Sequence, residues 1–151
     1  HSLQSSVMHA EHDGCRIHLI DTPGAPDFIG QSLPALEAVE TAAVVINAAA
    51  GIEPMAQRMM AYAAERGLDR LIIVNRIDAQ DVDLSALLAD IQAAFGQECL
   101  PLNLPDAGAT QVVDCFYNRA RATATLAPWP MRTARWSSRW SRSMATLSTA
   151  T

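Results

Sequence analysis

Two short runs, "AAVVINA" and "LIIVN", are apolar from end to end and too short to be helices of ordinary length. A strand reads this way when both of its faces are covered, as in a parallel sheet. Between them lies "PMAQRMMAYAAERG", with Pro54 at its start, Gly67 past its end, and Met55, Met59, Met60 and Ala63 on one side. Those are the marks of an amphipathic helix with a fixed beginning and stop. A second helical segment, "DLSALLADIQAAFG", follows the second run. Asp83 is placed to cap it, Leu84, Leu87, Leu88, Ile91 and Phe95 form its apolar stripe, and Gly96 ends it. Strand, helix, strand, helix in this rhythm calls for βαβ crossovers, and so predicts an α/β fold with a mostly parallel sheet flanked by helices.

The flanks add detail. "SLQSSVMHAE" and "CRIHLID" alternate on either side of "HDG", which predicts a hairpin with strands near residues 3–11 and 15–21 and a turn at 12–14. "FIGQSLPALEAVE" has apolar residues at helical spacing, and Pro34 limits it to a short helix starting about there. "CLPLNLP" and "QVVDCFY" predict two short strands around a polar loop. Half of the 151 residues are hydrophobic, enough for one domain with a core. No apolar run is long enough to span a membrane; the longest, "TAAVVINAAAGI", is interrupted by Asn47 and Gly51.

In open α/β sheets ligands bind outside the carboxyl ends of the strands. Two predicted strand ends are polar there: Asp21 after "IHLI" and Asn75 after "LIIV". Asp21 opens a D-x-x-G string. An Asp at a strand end can hold a metal-bound water beside phosphates, and Gly24 lets the backbone bring an N–H close to a phosphate. Asn75 opens "NRID". There an amide and the Asp78 carboxylate can read a base edge, the carboxylate accepting two N–H bonds from guanine that adenine does not offer. The aliphatic stem of Arg76 can lie along the base. Each string alone is equally readable as a plain turn or a helix cap. Their joint placement, on two strand ends, is what favours a nucleotide site.

The stretches "IDTPGAPDF", "VETAAVVINAAAGIEP", "RLIIVNRID" and "CLPLNLP…VVD" together resemble the GTPase domain of translation factors, most closely elongation factor G and its paralogues. The likeness covers roughly residues 1–118. It implies a P-loop NTPase fold, GTP or GDP with Mg²⁺ as ligands, and the ribosome as the partner of the full-length parent. By that likeness Asp21 would serve the magnesium shell through water, the Gly24 amide the γ-phosphate, and Asn75, Arg76 and Asp78 the guanine. Residues 25–40 would be the switch that rearranges on hydrolysis. A cytoplasmic location is expected, with no membrane and no DNA as partner.

Three departures from the family pattern are visible. No G-x-x-x-x-G-K-[S/T] string occurs, and the chain has no Lys at all. With His1 as first residue, we expect a fragment truncated on the N-terminal side, its phosphate loop upstream or lost. The family's His after D-T-P-G, which positions the attacking water, is Ala25 here; a methyl group cannot orient water, so slow hydrolysis or none is expected. Arg76 stands where the family has Lys.

The last 33 residues of the chain differ in kind. Residues 1–118 carry five arginines and all sixteen acids, a balance of −11, whereas residues 119–151 carry six arginines and no acid, +6, together the chain's −5. Trp129, Trp136 and Trp140 all lie in that basic tail. An arm for nucleic acid or a membrane surface is one reading of it. The one preferred is a disordered or out-of-frame segment. Back-translated from Thr123 with G/C-rich codons chosen for Ser, Arg and Leu and read one base earlier, it can give an acidic, helix-like sequence that resembles this point in elongation factor G relatives. Cys15, Cys99 and Cys115 fit no zinc or disulfide spacing and are expected to be ordinary buried thiols. His1, His9, His12 and His18 show no paired ligand motif.

Overall fold

The "HDG" signal closes a hairpin. Asp13 and Gly14 both have positive φ, 48° and 76°, the combination a two-residue type I′ turn uses and Asp-Gly adopts at little steric cost. In the computed structural model, which describes residues 2–105 and 112–114, this turn joins β1 (Ser6–His12) to β2 (Cys15–Asp21). The strands are antiparallel, from Ser6 opposite Asp21 to His12 opposite Cys15. The first strand begins at Ser6 rather than near residue 3. Apart from half-buried Ile20, every residue of the hairpin strands is exposed. Cys15 is among them, which corrects the expectation of a buried thiol; Cys99 is partly buried, and Cys115 lies outside the described residues. His9 and His18 face each other across the strands with ring centres 6.4 Å apart.

The helical segment after β2 is split, and it starts earlier than Pro34. A 3₁₀ turn at Pro26–Phe28 runs into α1 (Ile29–Ser32), and a second 3₁₀ turn occupies Pro34–Ala38. The reason is local. The Leu33 N–H donates to the Ile29 carbonyl at 3.0 Å and closes α1. Pro34 has no N–H to carry the helix on, so it opens a new turn instead.

The crossover follows: β3 (Thr41–Asn47), α2 (Pro54–Glu65) and β4 (Asp69–Asn75). The strands are parallel, with Thr41 opposite Asp69 and Asn47 opposite Asn75. Gly67, at φ 69°, ends α2. The Leu68 N–H reaches the Ala63 carbonyl and the Gly67 N–H the Ala64 carbonyl, both at 3.0 Å, a Schellman closure. That closure folds Leu68 back onto a core of Leu36, Ala42 and Ala63, with Leu33, Met59 and Tyr62 packed around it. Ala63 is fully buried and Ile46 nearly so. The face opposite Ala42 and Ile46 is open: Val45 is 59% exposed and Ile73 44%. The expectation that both apolar runs are covered on two faces is therefore corrected. Among the described residues α2 is the helix that packs chiefly on this pair of strands, and it covers one face.

The sheet is also smaller than its pattern predicts. Among the described residues three two-stranded sheets form, β1–β2, β3–β4, and β5 (Asn103–Pro105) with β6 (Val112–Asp114). Of these, β3–β4 is the parallel one. The α/β class holds, but the mostly parallel sheet does not. A two-residue turn joins β1 to β2, a connection that suits an antiparallel pair, whereas a parallel pair needs a crossover as long as the one through α2.

The chain divides into two units, His1–Arg76 and Ile77–Thr151. The second contains α3 (Leu84–Phe95), β5 and β6. Asp83 caps α3 through one carboxylate oxygen, which accepts the N–H groups of Ser85 and Ala86 at 2.9 and 3.0 Å. Leu87 and Ile91 are the buried residues of its stripe, and Leu104 of β5 is 2% exposed. The predicted polar loop at 106–111 and the expectations for residues 119–151 lie outside the described residues.

Candidate functional site

Asp21 is the last residue of β2 and is exposed. Among the described residues its carboxylate forms no ion pair and accepts one long hydrogen bond, 3.5 Å from Ser2 Oγ. The chain then turns through Pro23, which is fully buried, and Gly24, which is exposed. Gly24 does not have positive φ, and a Cβ built on it would meet nothing within 4 Å. Neither backbone conformation nor crowding inside the chain asks for glycine here. A group approaching from outside would, since only glycine leaves the backbone bare. Ala25 begins the 3₁₀ turn: its carbonyl accepts the Phe28 N–H at 3.0 Å, and it offers no polar side-chain atom. Below this loop the Ser32 hydroxyl donates to the Pro23 carbonyl at 2.9 Å.

Asn75 ends β4 beside Asn47, which ends β3. The two ends are cross-linked through the backbone, the Ala48 N–H donating to the Asn75 carbonyl at 2.9 Å. Asn75 Oδ1 accepts the Arg76 N–H at 2.8 Å. With its oxygen held this way, the Asn75 side chain has its NH₂ donors left to offer a ligand. Asn47 repeats the pattern, its Oδ1 accepting the Ala49 N–H at 3.1 Å. Asn47 was not among the expected site residues, although it carries the same sequence signal as Asn75, a polar residue closing an apolar run. Arg76 is exposed and sits at φ 58°, the left-handed region that a long side chain adopts only where surroundings impose it.

Asp21, Gly24, Asn75 and Arg76 belong to the first unit and Asp78 to the second. Asp78 is exposed, and its side chain forms no hydrogen bond or ion pair among the described residues. Asp21 and Asn75 each close a strand, but the strands lie in different sheets. Among the described residues the two strand ends therefore do not share the rim of one parallel sheet, as the strand-end reading expects. Among the described residues no three His, Cys, Asp or Glu side chains form a group suited to a metal ion. A Mg²⁺ ion held through water by one carboxylate would not show as such a group, since Mg²⁺ keeps several waters and takes one or two carboxylates. No helix among the described residues is long and apolar enough to cross a membrane.

Comparison with known proteins gives one answer in three forms. The elongation factor Tu GTP binding domain family matches residues 1–144. Peptide chain release factor 3 of Symbiobacterium thermophilum is 35% identical over 104 residues, 69% of this chain and 20% of that protein. Peptide chain release factor 3 of Listeria monocytogenes serotype 4a is 36% identical over the same length. A crystal structure from Thermus thermophilus superimposes with a TM-score of 0.71 at 33% identity, covering 77% of this chain and 18% of that one. The chain thus spans about a fifth of the length of these relatives.

Proposed function

This chain belongs to the elongation factor Tu GTP binding domain family, and from that premise we propose that it is the guanine-nucleotide-binding part of a translation GTPase that acts on the ribosome in the cytoplasm. The relatives' names favour peptide chain release over the elongation factor G role suggested by the sequence. The observation that carries the proposal is the pair of polar strand ends, Asp21 leading into a bare Gly24 backbone and Asn75 with its amide oxygen tied down.

In this reading Asp21 orients water in the shell of Mg²⁺, which when bound neutralises phosphate charge. The Gly24 N–H donates to the γ-phosphate. The Asn75 NH₂ group donates to the base, Arg76 lies along it, and Asp78 accepts the two N–H groups that distinguish guanine. Ala25 can move no proton and hold no water. A fitting sub-reading is therefore a domain that binds nucleotide and ribosome without turnover. GTPase assays with ribosomes on the whole protein separate the two: stimulated turnover supports the hydrolase, tight binding without turnover the module. An out-of-frame tail would instead make the chain a non-functional product, and sequencing the coding DNA across codons 115–125 tests that.

The 151 residues hold no phosphate-loop string, so affinity should be weak, near a millimolar dissociation constant or about −4 kcal/mol. NMR titration of the chain with GDP and with xanthosine diphosphate in Mg²⁺ is suited to that range. GDP should bind more tightly, and Asp78→Asn should erase the preference, a change of about ten- to a hundredfold. A guanine preference that survives in Asp78→Asn defeats the base assignment.

A further inference from the structure

We propose that Ser32 is a positioning residue that fixes the direction of the Gly24 N–H, and so sets discrimination between nucleoside triphosphate and diphosphate; the inference rests on the nucleotide reading above.

Ser32 is 1% exposed and is the buried polar residue among those described. A buried hydroxyl is costly unless it is hydrogen-bonded, and this one donates to the Pro23 carbonyl at 2.9 Å across nine residues of chain. Pro23 is itself fully buried, so its carbonyl is turned into the protein, toward α1. No peptide bond among the described residues is cis. In a planar trans peptide the carbonyl and the following N–H point in opposite directions. Holding the Pro23 carbonyl inward therefore holds the Gly24 N–H outward, on the exposed side of the loop.

This hold matters because little else provides it. The proline ring fixes φ at residue 23 but leaves rotation on the carbonyl side of its Cα. Gly24 has no Cβ to resist that rotation from the other side, and a Cβ there would meet nothing in any case. The peptide between them is the one most able to flip, and the Ser32 hydroxyl is the group placed to stop it. A diphosphate has no γ-phosphate for this amide to meet, so losing the hold should weaken triphosphate binding and leave diphosphate binding as it was.

The test has two readouts on the 151-residue chain. In the nucleotide-free chain, ¹⁵N relaxation and amide exchange at Gly24 are compared for wild type, Ser32→Ala, Ser32→Cys and Ser32→Thr. Cysteine keeps the volume with a weak donor, and carries the test should the alanine variant fail to fold. Threonine keeps the hydroxyl. Mobility and exchange at Gly24 should rise in the alanine and cysteine variants and return to wild type in the threonine variant. In the second readout, the ratio of GTP to GDP affinity, taken by NMR titration in Mg²⁺, should fall about tenfold without the hydroxyl, the effect of one lost hydrogen bond, with GDP affinity unchanged. An unaltered Gly24 amide in folded Ser32→Cys, or equal losses for GTP and GDP, overturns the proposal as a merely structural role. A wild-type chain that binds neither nucleotide overturns the nucleotide reading instead, and the Gly24 measurements then still uphold or overturn the grip of Ser32 on that peptide.

Discussion

The hairpin β1–β2 and the crossover β3–α2–β4 are built from strands of the same length, seven residues each, yet they are stabilised in opposite ways. The hairpin is specified by its turn. Asp13 and Gly14 adopt positive φ, the register follows, and almost nothing packs on either face. The crossover is specified by burial: Ala42, Ile46, Met60 and Ala63 lose nearly all contact with water where α2 meets the strands. An isolated two-stranded hairpin is marginal in water, whereas strands with a covering helix are not. The two strand ends proposed to hold nucleotide thus differ in rigidity. Asn75 emerges from the packed region, and Asp21 from the open one.

The largest expected effect separates the regions at once. Ile46→Ala should destabilise the chain by about 2–5 kcal/mol in chemical denaturation, the usual result of emptying a buried aliphatic site. Leu19→Ala in the hairpin, where the side chain is half in water, should change the same measurement by no more than about 0.5 kcal/mol. Comparable losses would mean that the hairpin is part of the cooperative core.

A finer contrast uses one substitution in both places. Gly14 and Gly67 have similar positive φ, 76° and 69°, so Gly→Ala at either should cost about 1 kcal/mol of local strain. At Gly67 the cost should appear in global stability, because the Schellman closure brings Leu68 to the core. At Gly14 it should appear as faster amide exchange confined to residues 6–21, with the denaturation midpoint nearly unmoved. Equal shifts of the midpoint would erase the distinction.

The regions also differ in how legible they were. The hairpin turn, the cap of α3, the stop of α2 and the starts at Pro34 and Pro54 rest on local chemistry: a φ that Asp-Gly tolerates, an N–H that Asp83 accepts, an N–H that proline lacks. Such features are written within a few residues. The sheets are not. "AAVVINA" and "LIIVN" record two apolar faces, and whether a second helix arrives to cover the outer one is decided elsewhere in a chain. The hydroxyl of Ser32 was illegible for the same reason, since its partner is nine residues away and the bond exists only once Pro23 is buried. Within the candidate site, Asp21 and Asn75 are legible because a polar residue after an apolar run is a local signal. Asn47 carries that signal equally.

The uncovered sheet face has a thermodynamic consequence. Unfolding changes heat capacity chiefly by wetting apolar groups, and Val45, Leu71 and Ile73 are already substantially wet in the native chain. Scanning calorimetry should accordingly return less than the usual figure of about 12–15 cal/mol/K per residue. The stability curve is then a shallow arch rather than a steep one, and cooling the protein toward freezing should cost it little.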